Sequence, residues 1–294
     1  MNILFQRNKR ALIVFMAPLI MIFMVIIIIP LGHAFVMSFT EWDGVNEAAF
    51  TGLTNYKKLF TSPDLVISLK NSAIFSVFLT VYQLGIGLLF AFILVNSKIK
   101  GKKFFKDAFF LPQVLSVSVV AQLWISVYHG DFGLINQLAA ALGLEWRQQW
   151  LSEPVKGIIA IVAAESWKGM GYHMLILYAA MHNVPKVYYE ASTIDGASAW
   201  QQFRNITIPL IAPTLKACFI MAFTFGFRAF EQIFIMTKGG PGNYTYTLSI
   251  MLYKSLFGMQ KYGYANAVAM LIVVICVAIM LIVERVTKNM QVEY

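Results

Sequence analysis

The stretch EASTIDGASAWQQFRNITIP, residues 190–209, is polar and rich in small side chains, and it lies between two long apolar runs. Gly196 divides the stretch in two, because glycine readily adopts the left-handed backbone angles of a sharp turn. We therefore predict short helices over residues 188–194 and 197–205. Pro209 suits the opening turn of the apolar helix that follows, where an amide donor is dispensable. Such a segment fits either a helix that enters a groove of another protein or an ordinary interfacial loop.

The composition of the chain indicates a polytopic membrane protein. Of its 294 residues, 59% are hydrophobic and 13% are charged, whereas a soluble domain of this length needs a more polar surface. The formal net charge of +9 would suggest nucleic acid as the partner of a soluble protein, but membrane topology accounts for the basic residues better. Cys218 and Cys276 lie in apolar runs, which favours buried thiols over a disulfide or a metal site.

Six segments are long and apolar enough to cross a bilayer, which takes about 20 residues. They are 11–38, 72–96, 108–128, 157–180, 208–236 and 265–284. The first is too long for a secretory signal and has no small-x-small cleavage site after it, so we expect it to be retained. We predict an all-α polytopic membrane protein with one transmembrane domain over residues 1–294.

Lysine and arginine residues set the orientation, because they concentrate in cytoplasmic loops. They precede the first span, fill the loop between the second and third spans, and follow the last: Arg7, Lys9, Arg10, Lys98, Lys100, Lys102, Lys103, Lys106, Arg285 and Lys288. With six spans, all of them fall on one side. Both termini and the 190–209 stretch are then cytoplasmic, and the loops 39–71, 129–156 and 237–264 lie outside.

The sequence carries none of the common catalytic motifs. It has no G-x-x-x-x-G-K-[ST] phosphate loop and no Ser/His/Asp elbow, and its four histidines lack metal-ligand spacing. We therefore expect a chain that is not an enzyme, does not hydrolyse ATP and holds no metal.

The spacing Glu190-Ala191-Ser192-x-x-x-Gly196-x₉-Ile206-x-Ile208-Pro209 resembles the EAA motif of permease subunits in ATP-binding-cassette importers. Ser192 and Ile208 depart from the usual alanine and leucine, and both changes are mild in size. Three further blocks resemble the carbohydrate permeases of the maltose and glycerol-phosphate type: FTGLTNYKKLF (50–60), ESWKGMGYHMLIL (165–177) and FTFGFRAFEQIFIMTKGGPGNYTYTL (223–248). The resemblance covers nearly the whole chain.

The resemblance implies that residues 188–209 form a cytoplasmic coupling helix, between helices 4 and 5, that docks into the ATPase subunit. The coupling positions are then Glu190, Ala191, Ser192, Asp195 and Gly196. The partners implied are a dimeric cytoplasmic ATPase that binds ATP and Mg, a second homologous permease, and an extracellular or periplasmic substrate-binding protein. A homodimer of this chain is the alternative to the second permease. The chain itself would hold no cofactor and would lie in the bacterial cell membrane as a multi-pass protein.

Charged residues inside a span are costly unless they are paired or hydrated, so each is a functional candidate. Glu165 and Lys168 are three apart, as are Arg228 and Glu231, and both spacings also fit structural ion pairs. The resemblance implies an oligosaccharide site on spans four and five, where the sugar ring packs on Tyr172 and Phe225. The substrate-binding candidates are Glu165, Lys168, Gly169, Tyr172, Ala222, Phe225, Gly226 and Ala229. The candidate pathway residues are Tyr82, Gln83, Arg228 and Glu231.

Lys168 is unusual for a neutral sugar site. A lysine there can bind a uronic acid carboxylate or a phosphate, or Glu165 can neutralise it. A permease for glycerol-phosphate-type cargo is therefore an alternative to the oligosaccharide permease. A stand-alone secondary transporter is a further alternative, although such proteins usually show internal repeats and none is evident here. The outer loop 237–247 fits either a simple turn or a contact for the substrate-binding protein.

Overall fold

The structure, a computed structural model, describes residues 9–97, 100–144 and 146–288. Apart from one short hairpin, the regular structure in these residues is helical, so the predicted all-α class is confirmed. Arg7 and Lys98, two of the basic residues used to predict the topology, lie outside the described residues.

The helices follow one another along the chain, and the strands β1 (Thr40–Glu41) and β2 (Ala49–Phe50) pair antiparallel after the second helix. The helices are α1 (Lys9–Phe23), α2 (Ile29–Met37), α3 (Thr54–Thr61), α4 (Pro63–Asn96), α5 (Lys102–Val114), α6 (Val117–Val127), α7 (Leu134–Ala141), α8 (Lys156–His182), α9 (Lys186–Ile194), α10 (Ala199–Gln202), α11 (Ile208–Arg228), α12 (Glu231–Thr237), α13 (Leu248–Tyr253) and α14 (Tyr262–Val286). Three π-helical turns join α1 to α2, join α10 to α11 and extend α13: Met24–Ile28, Phe203–Thr207 and Lys254–Gly258.

The chain forms two compact units: Met1–Ser62 with Leu252–Leu271, and Pro63–Met251 with Ile272–Tyr294. The first unit carries the β-hairpin. In the turn of this hairpin, the N–H groups of Asn46 and Val45 donate to the Asp43 carboxylate and hold its pKa below the usual value. The assignment of residues 1–294 to one transmembrane domain stays a prediction.

Four helices are long and apolar enough to cross a membrane: Val14–Met37, Pro63–Asn96, Ala199–Arg228 and Tyr262–Val286. A fifth candidate is the pair α5 and α6, if the two helices together form one span. Helix α8 is long enough at 27 residues, but its polar residues, among them Glu165 and Lys168, make it less apolar than those four. The prediction of six spans with cytoplasmic termini stays a prediction.

Two predicted spans differ from the structure in their course. The segment 108–128 is bent by 97° between α5 and α6, where the hydroxyl of Ser116 accepts a hydrogen bond from the Val119 N–H and caps a new helix. The segment 208–236 is interrupted after Arg228, because Ala229 has an extended backbone and α12 begins only at Glu231.

The second unit packs its helices closely at glycine residues. A Cβ atom at Gly171 of α8 would collide with the Phe109 carbonyl of α5, and one at Gly226 of α11 would collide with Ser76 of α4. A Cβ atom at Gly87 of α4 would lie 3.1 Å from the backbone nitrogen of Met174 on α8. These close approaches bring α4, α5, α8 and α11 together around one cavity.

Candidate functional site

A cavity of about 300 Å³ lies between α8 and α11. Two glutamines, Gln83 of α4 and Gln113 of α5, complete its wall. From α8 it is lined by Glu165, Lys168, Gly169, Tyr172 and His173, and from α11 by Met221, Ala222, Thr224, Phe225 and Arg228. The spacing of these positions puts each set on one face of its helix. The cavity thus combines amides, hydroxyls, aromatic rings and charges within a membrane-type helical protein.

Gly169 leaves room for a neighbouring side chain. A Cβ atom at this position would overlap the amide of Gln83, which is 4% exposed and donates to the Glu165 carbonyl at 3.4 Å. The glycine therefore lets Gln83 reach across from α4 to α8. Gly169 thus shapes the cavity in two ways, because it leaves space and lets the Gln83 amide enter the lining.

The charged residues of the cavity are not paired in the way that their spacing suggests. Within the described residues, no ion pair of 4.0 Å or less joins Glu165 to Lys168 or Arg228 to Glu231. Glu165 is 6% exposed and interacts electrostatically with both Lys168 and Glu231. The helix break after Arg228 separates Arg228 from Glu231, so their spacing of three does not place them on one helical face.

Two aromatic side chains are accessible from the cavity. Tyr172 is 37% exposed and Phe225 is 40% exposed, and they come from α8 and α11 respectively. Aromatic faces of this kind can pack against the C–H surface of a sugar ring. The two rings and the amides of Gln83 and Gln113 make the cavity chemically suited to a carbohydrate.

Four of the predicted residues lie away from the cavity lining. Gly226 packs against Ser76, Ala229 is buried at the helix break, and both Tyr82 and Glu231 are exposed without lining the cavity. The roles proposed for these residues stay predictions.

Sequence reasoning missed Gln113, His173, Met221 and Thr224, which line the cavity. His173 could have been found, because it stands four residues after Gly169 and eight after Glu165 on the same helix. Gln113 lies just before the bend between α5 and α6, and Pro112 next to it is a marker from which the bend could have been predicted.

The predicted coupling segment is a helix, a turn and the start of a second, much longer helix. Helix α9 ends at Ile194, and Gly196 has a φ of +77° with no atom near its vacant Cβ position, so the turn predicted at Gly196 is present. Ser198 then caps α10 through a capping box with Gln201. The helix predicted over 197–205 does not end there, because α10 continues through the π-turn into α11 without a break.

Side-chain hydrogen bonds tie α9 to the helix that follows it. The Gln202 amide donates to the hydroxyls of Ser192 and Thr193, each at 3.0 Å, and the hydroxyls of Tyr189 and Thr207 lie 2.9 Å apart. These bonds cross the Gly196 turn, so α9 and the first turns of the Ala199–Arg228 helix form one braced element.

The predicted coupling residues are accessible on this braced element. Ser192 is half-buried, and the others are exposed: Glu190, Ala191, Asp195 and Gly196. Large apolar side chains that the sequence reasoning did not single out surround them, namely Val187, Tyr188, Ile194 and Trp200, and Ile194 is 87% exposed. An apolar patch on a rigid element is typical of a protein-docking surface.

The loop 237–247, which is predicted to lie outside, is held firmly by α4. The Asn71 amide lies 3.0 Å from the Tyr246 carbonyl, and the Ser72 hydroxyl accepts from the Leu248 N–H at 3.0 Å. The exposed residues of the loop are Lys238 and, at its tip, Pro241, Gly242 and Tyr244. A partner can therefore reach this tip, while the rest of the loop serves the packing of the unit.

Comparison with known proteins places the chain among transport proteins. Residues 83–292 match the family described as "Binding-protein-dependent transport system inner membrane component". The chain is 32% identical to the probable ABC transporter permease protein YurN of Bacillus subtilis over 97% of this chain and 98% of that protein. It is also 32% identical to the probable starch degradation products transport system permease protein AmyD of Thermoanaerobacterium thermosulfurigenes, over 95% of this chain and 94% of that one.

A solved structure shares the fold. A chain of a bacterial ABC transporter involved in the import of the acidic polysaccharide alginate superposes with a TM-score of 0.82, over 97% of this chain and 98% of that chain, at 23% identity.

Proposed function

The chain belongs to the family of binding-protein-dependent transport system inner membrane components, and from this premise we propose that it is the permease subunit of an ATP-driven oligosaccharide importer. A substrate-binding protein outside the cell delivers the oligosaccharide, and a second homologous permease completes the path through the bacterial cell membrane. A separate dimeric ATPase in the cytoplasm binds ATP and Mg and hydrolyses the ATP. This chain transmits the resulting movement and carries out no chemistry of its own.

The observation that carries the proposal is the continuous helix from Ala199 to Arg228. It starts in the braced coupling segment, and its last turns line the cavity at Phe225 and Arg228. A helix of 30 residues is about 45 Å long at 1.5 Å per residue. Movement of α9 by the ATPase would therefore reach the cavity through a single rigid element, which is the kind of two-state coupling that alternating access needs.

The cavity supports a saccharide as cargo. Its two aromatic faces and its amides, Gln83 and Gln113, match the apolar and hydroxyl surfaces of a sugar. Its volume of about 300 Å³ is at the lower end of small-molecule pockets, so it would hold one end of an oligosaccharide at a time. The starch degradation products in the printed name of one relative agree with this class of cargo.

Purification and reconstitution of the native complex test the proposal. A tagged copy of the chain should co-purify with an ATPase and a second permease. Proteoliposomes that contain this complex should accumulate maltotetraose or an oligosaccharide of uronic acids only when the binding protein is outside and ATP is inside. Transport by the chain alone, driven by an ion gradient and independent of ATP, would instead establish a secondary transporter.

A further inference from the structure

Two cations line the cavity from two different helices without a bonding partner. Lys168 comes from α8 and Arg228 from α11. Within the described part of the chain, neither side chain forms a hydrogen bond or an ion pair of 4.0 Å or less. Unpartnered charges at membrane depth are costly and therefore rarely serve packing alone.

Other cations of the same unit do have partners. Lys216 of α11 lies 3.0 Å from Glu284 of α14, Lys156 lies 2.6 Å from Glu153, and Lys106 lies over the ring of Tyr178. Lys216 is also on α11, the helix that carries Arg228. The lack of a partner at Arg228 is therefore not a general property of cations on α11.

The carboxylates nearby do not balance these cations within the cavity. Glu165 is the one acidic side chain among the lining residues described, and it interacts with Lys168 electrostatically from more than 4.0 Å away. Glu231 also interacts with Glu165, but it follows the helix break and does not line the cavity. Two cations facing one carboxylate leave the lining with an excess positive charge.

We propose that the cargo carries an oxyanion group, held between Lys168 and Arg228, on the sugar that packs against Tyr172 and Phe225. The inference rests on the proposed function and names the cargo class for the same cavity. A guanidinium offers a planar fork of donors that fits a carboxylate or a phosphate, and the lysine adds a second charge from the other wall. Glu165 and the two glutamines then accept or donate hydrogen bonds to the sugar hydroxyls. The oxyanion is either the carboxylate of a uronic acid or a phosphate.

The test measures cargo-stimulated ATP hydrolysis by the reconstituted complex together with its binding protein. The cargoes are tetragalacturonate, its methyl ester, maltotetraose and maltotetraose that carries a phosphate group. We expect stimulation by tetragalacturonate or by the phosphorylated oligosaccharide, and which of the two stimulates identifies the oxyanion. The methyl ester keeps the shape of tetragalacturonate and removes its charge, so it should stimulate at least about tenfold more weakly, as expected for the loss of a charged hydrogen bond.

Variants of this chain separate its selectivity from that of the binding protein. Lys168→Met and Arg228→Met should each raise the half-maximal concentration of the anionic cargo about tenfold or more, whereas Arg228→Lys should retain part of the response. Lys216→Met removes a cation that is outside the cavity and should leave the response unchanged. Co-purification of the ATPase and the second permease shows that each variant still assembles.

Several results would overturn the inference. They are equal stimulation by tetragalacturonate and its methyl ester, stimulation by maltotetraose alone, silence with both anionic cargoes, and an unchanged response in the two methionine variants. Stimulation by maltotetraose would leave the proposed importer intact. A different result would contradict the importer proposal itself: a complex that lacks an ATPase, or one that takes up cargo without ATP.

Discussion

At the scale of single residues, Gly196 is the position on which the coupling segment depends. Its φ of +77° is accessible to glycine and costly for other residues, while no atom within 4 Å blocks a side chain. The constraint is therefore conformational and not steric. Gly143 offers a matched position in the predicted outer segment, with a φ of +75°, the same open space, and a similar hydrogen bond from its N–H to the residue three before it.

We predict that Gly196→Pro abolishes the coupling of ATP hydrolysis to uptake, because proline fixes φ near −65° and removes the N–H that bonds the Thr193 carbonyl. The turn would open and α9 would lose its orientation relative to the long helix. The measurement is ATP-dependent uptake by proteoliposomes containing the variant complex. Gly143→Pro introduces the same change elsewhere and should retain uptake. Normal uptake by the Gly196→Pro variant would show that this segment does not couple ATP hydrolysis to uptake.

At the scale of elements, the cavity exists because α4, α5, α8 and α11 approach one another closely. At Gly171 the neighbour is a backbone carbonyl, that of Phe109, which cannot move aside by changing rotamer. Gly85 of α4 has no atom within 4 Å of its vacant Cβ position, so a methyl group there meets only open space. Alanine substitutions at these two helical glycines therefore distinguish the effect of close helix packing from the effect of helix propensity.

We predict that Gly171→Ala lowers the thermal midpoint of the purified complex, since overpacking typically costs about 1–3 kcal/mol and forces α5 away from α8. Gly85→Ala should leave the midpoint unchanged or raise it, because alanine favours a helix by up to about 1 kcal/mol over glycine. Thermal unfolding followed by tryptophan fluorescence compares the two variants. Equal midpoints would mean that the close approach of α5 to α8 contributes little.

The elements also show what can be read from the chain and what cannot. Apolar length predicted the long helices, and a polar stretch with Gly196 predicted the turn, because both depend on local chemistry. No glycine or proline adjoins Arg228 or Ala229, where the helix breaks, so these residues do not predict the break. Gly226 is a predicted substrate-binding residue, but the space that its missing side chain leaves is taken by Ser76. A glycine in a helix can indicate that another group packs closely against it, but the sequence does not identify which group that is.

At the scale of the molecule, the cavity and the coupling segment belong to the same compact unit and share one helix. The last turns of the Ala199–Arg228 helix line part of the cavity, and the proposed docking surface lies at its first turn. Helix α8 makes a second connection, because it lines the cavity and is followed by α9 after a few residues. The central claim is therefore that an ATPase bound at α9 acts on the cavity through these two helices.

Photo-crosslinking in native membranes tests that claim most directly. A benzoylphenylalanine at Ile194, which is 87% exposed beside Gly196, should form an adduct with the ATPase subunit. The control is the same probe at Leu142, which is 78% exposed beside Gly143 in the predicted outer segment, and it should form none. An ATPase adduct from Ile194 alone is the result that the account predicts. The absence of that adduct, or equal ATPase adducts from both positions, would contradict it.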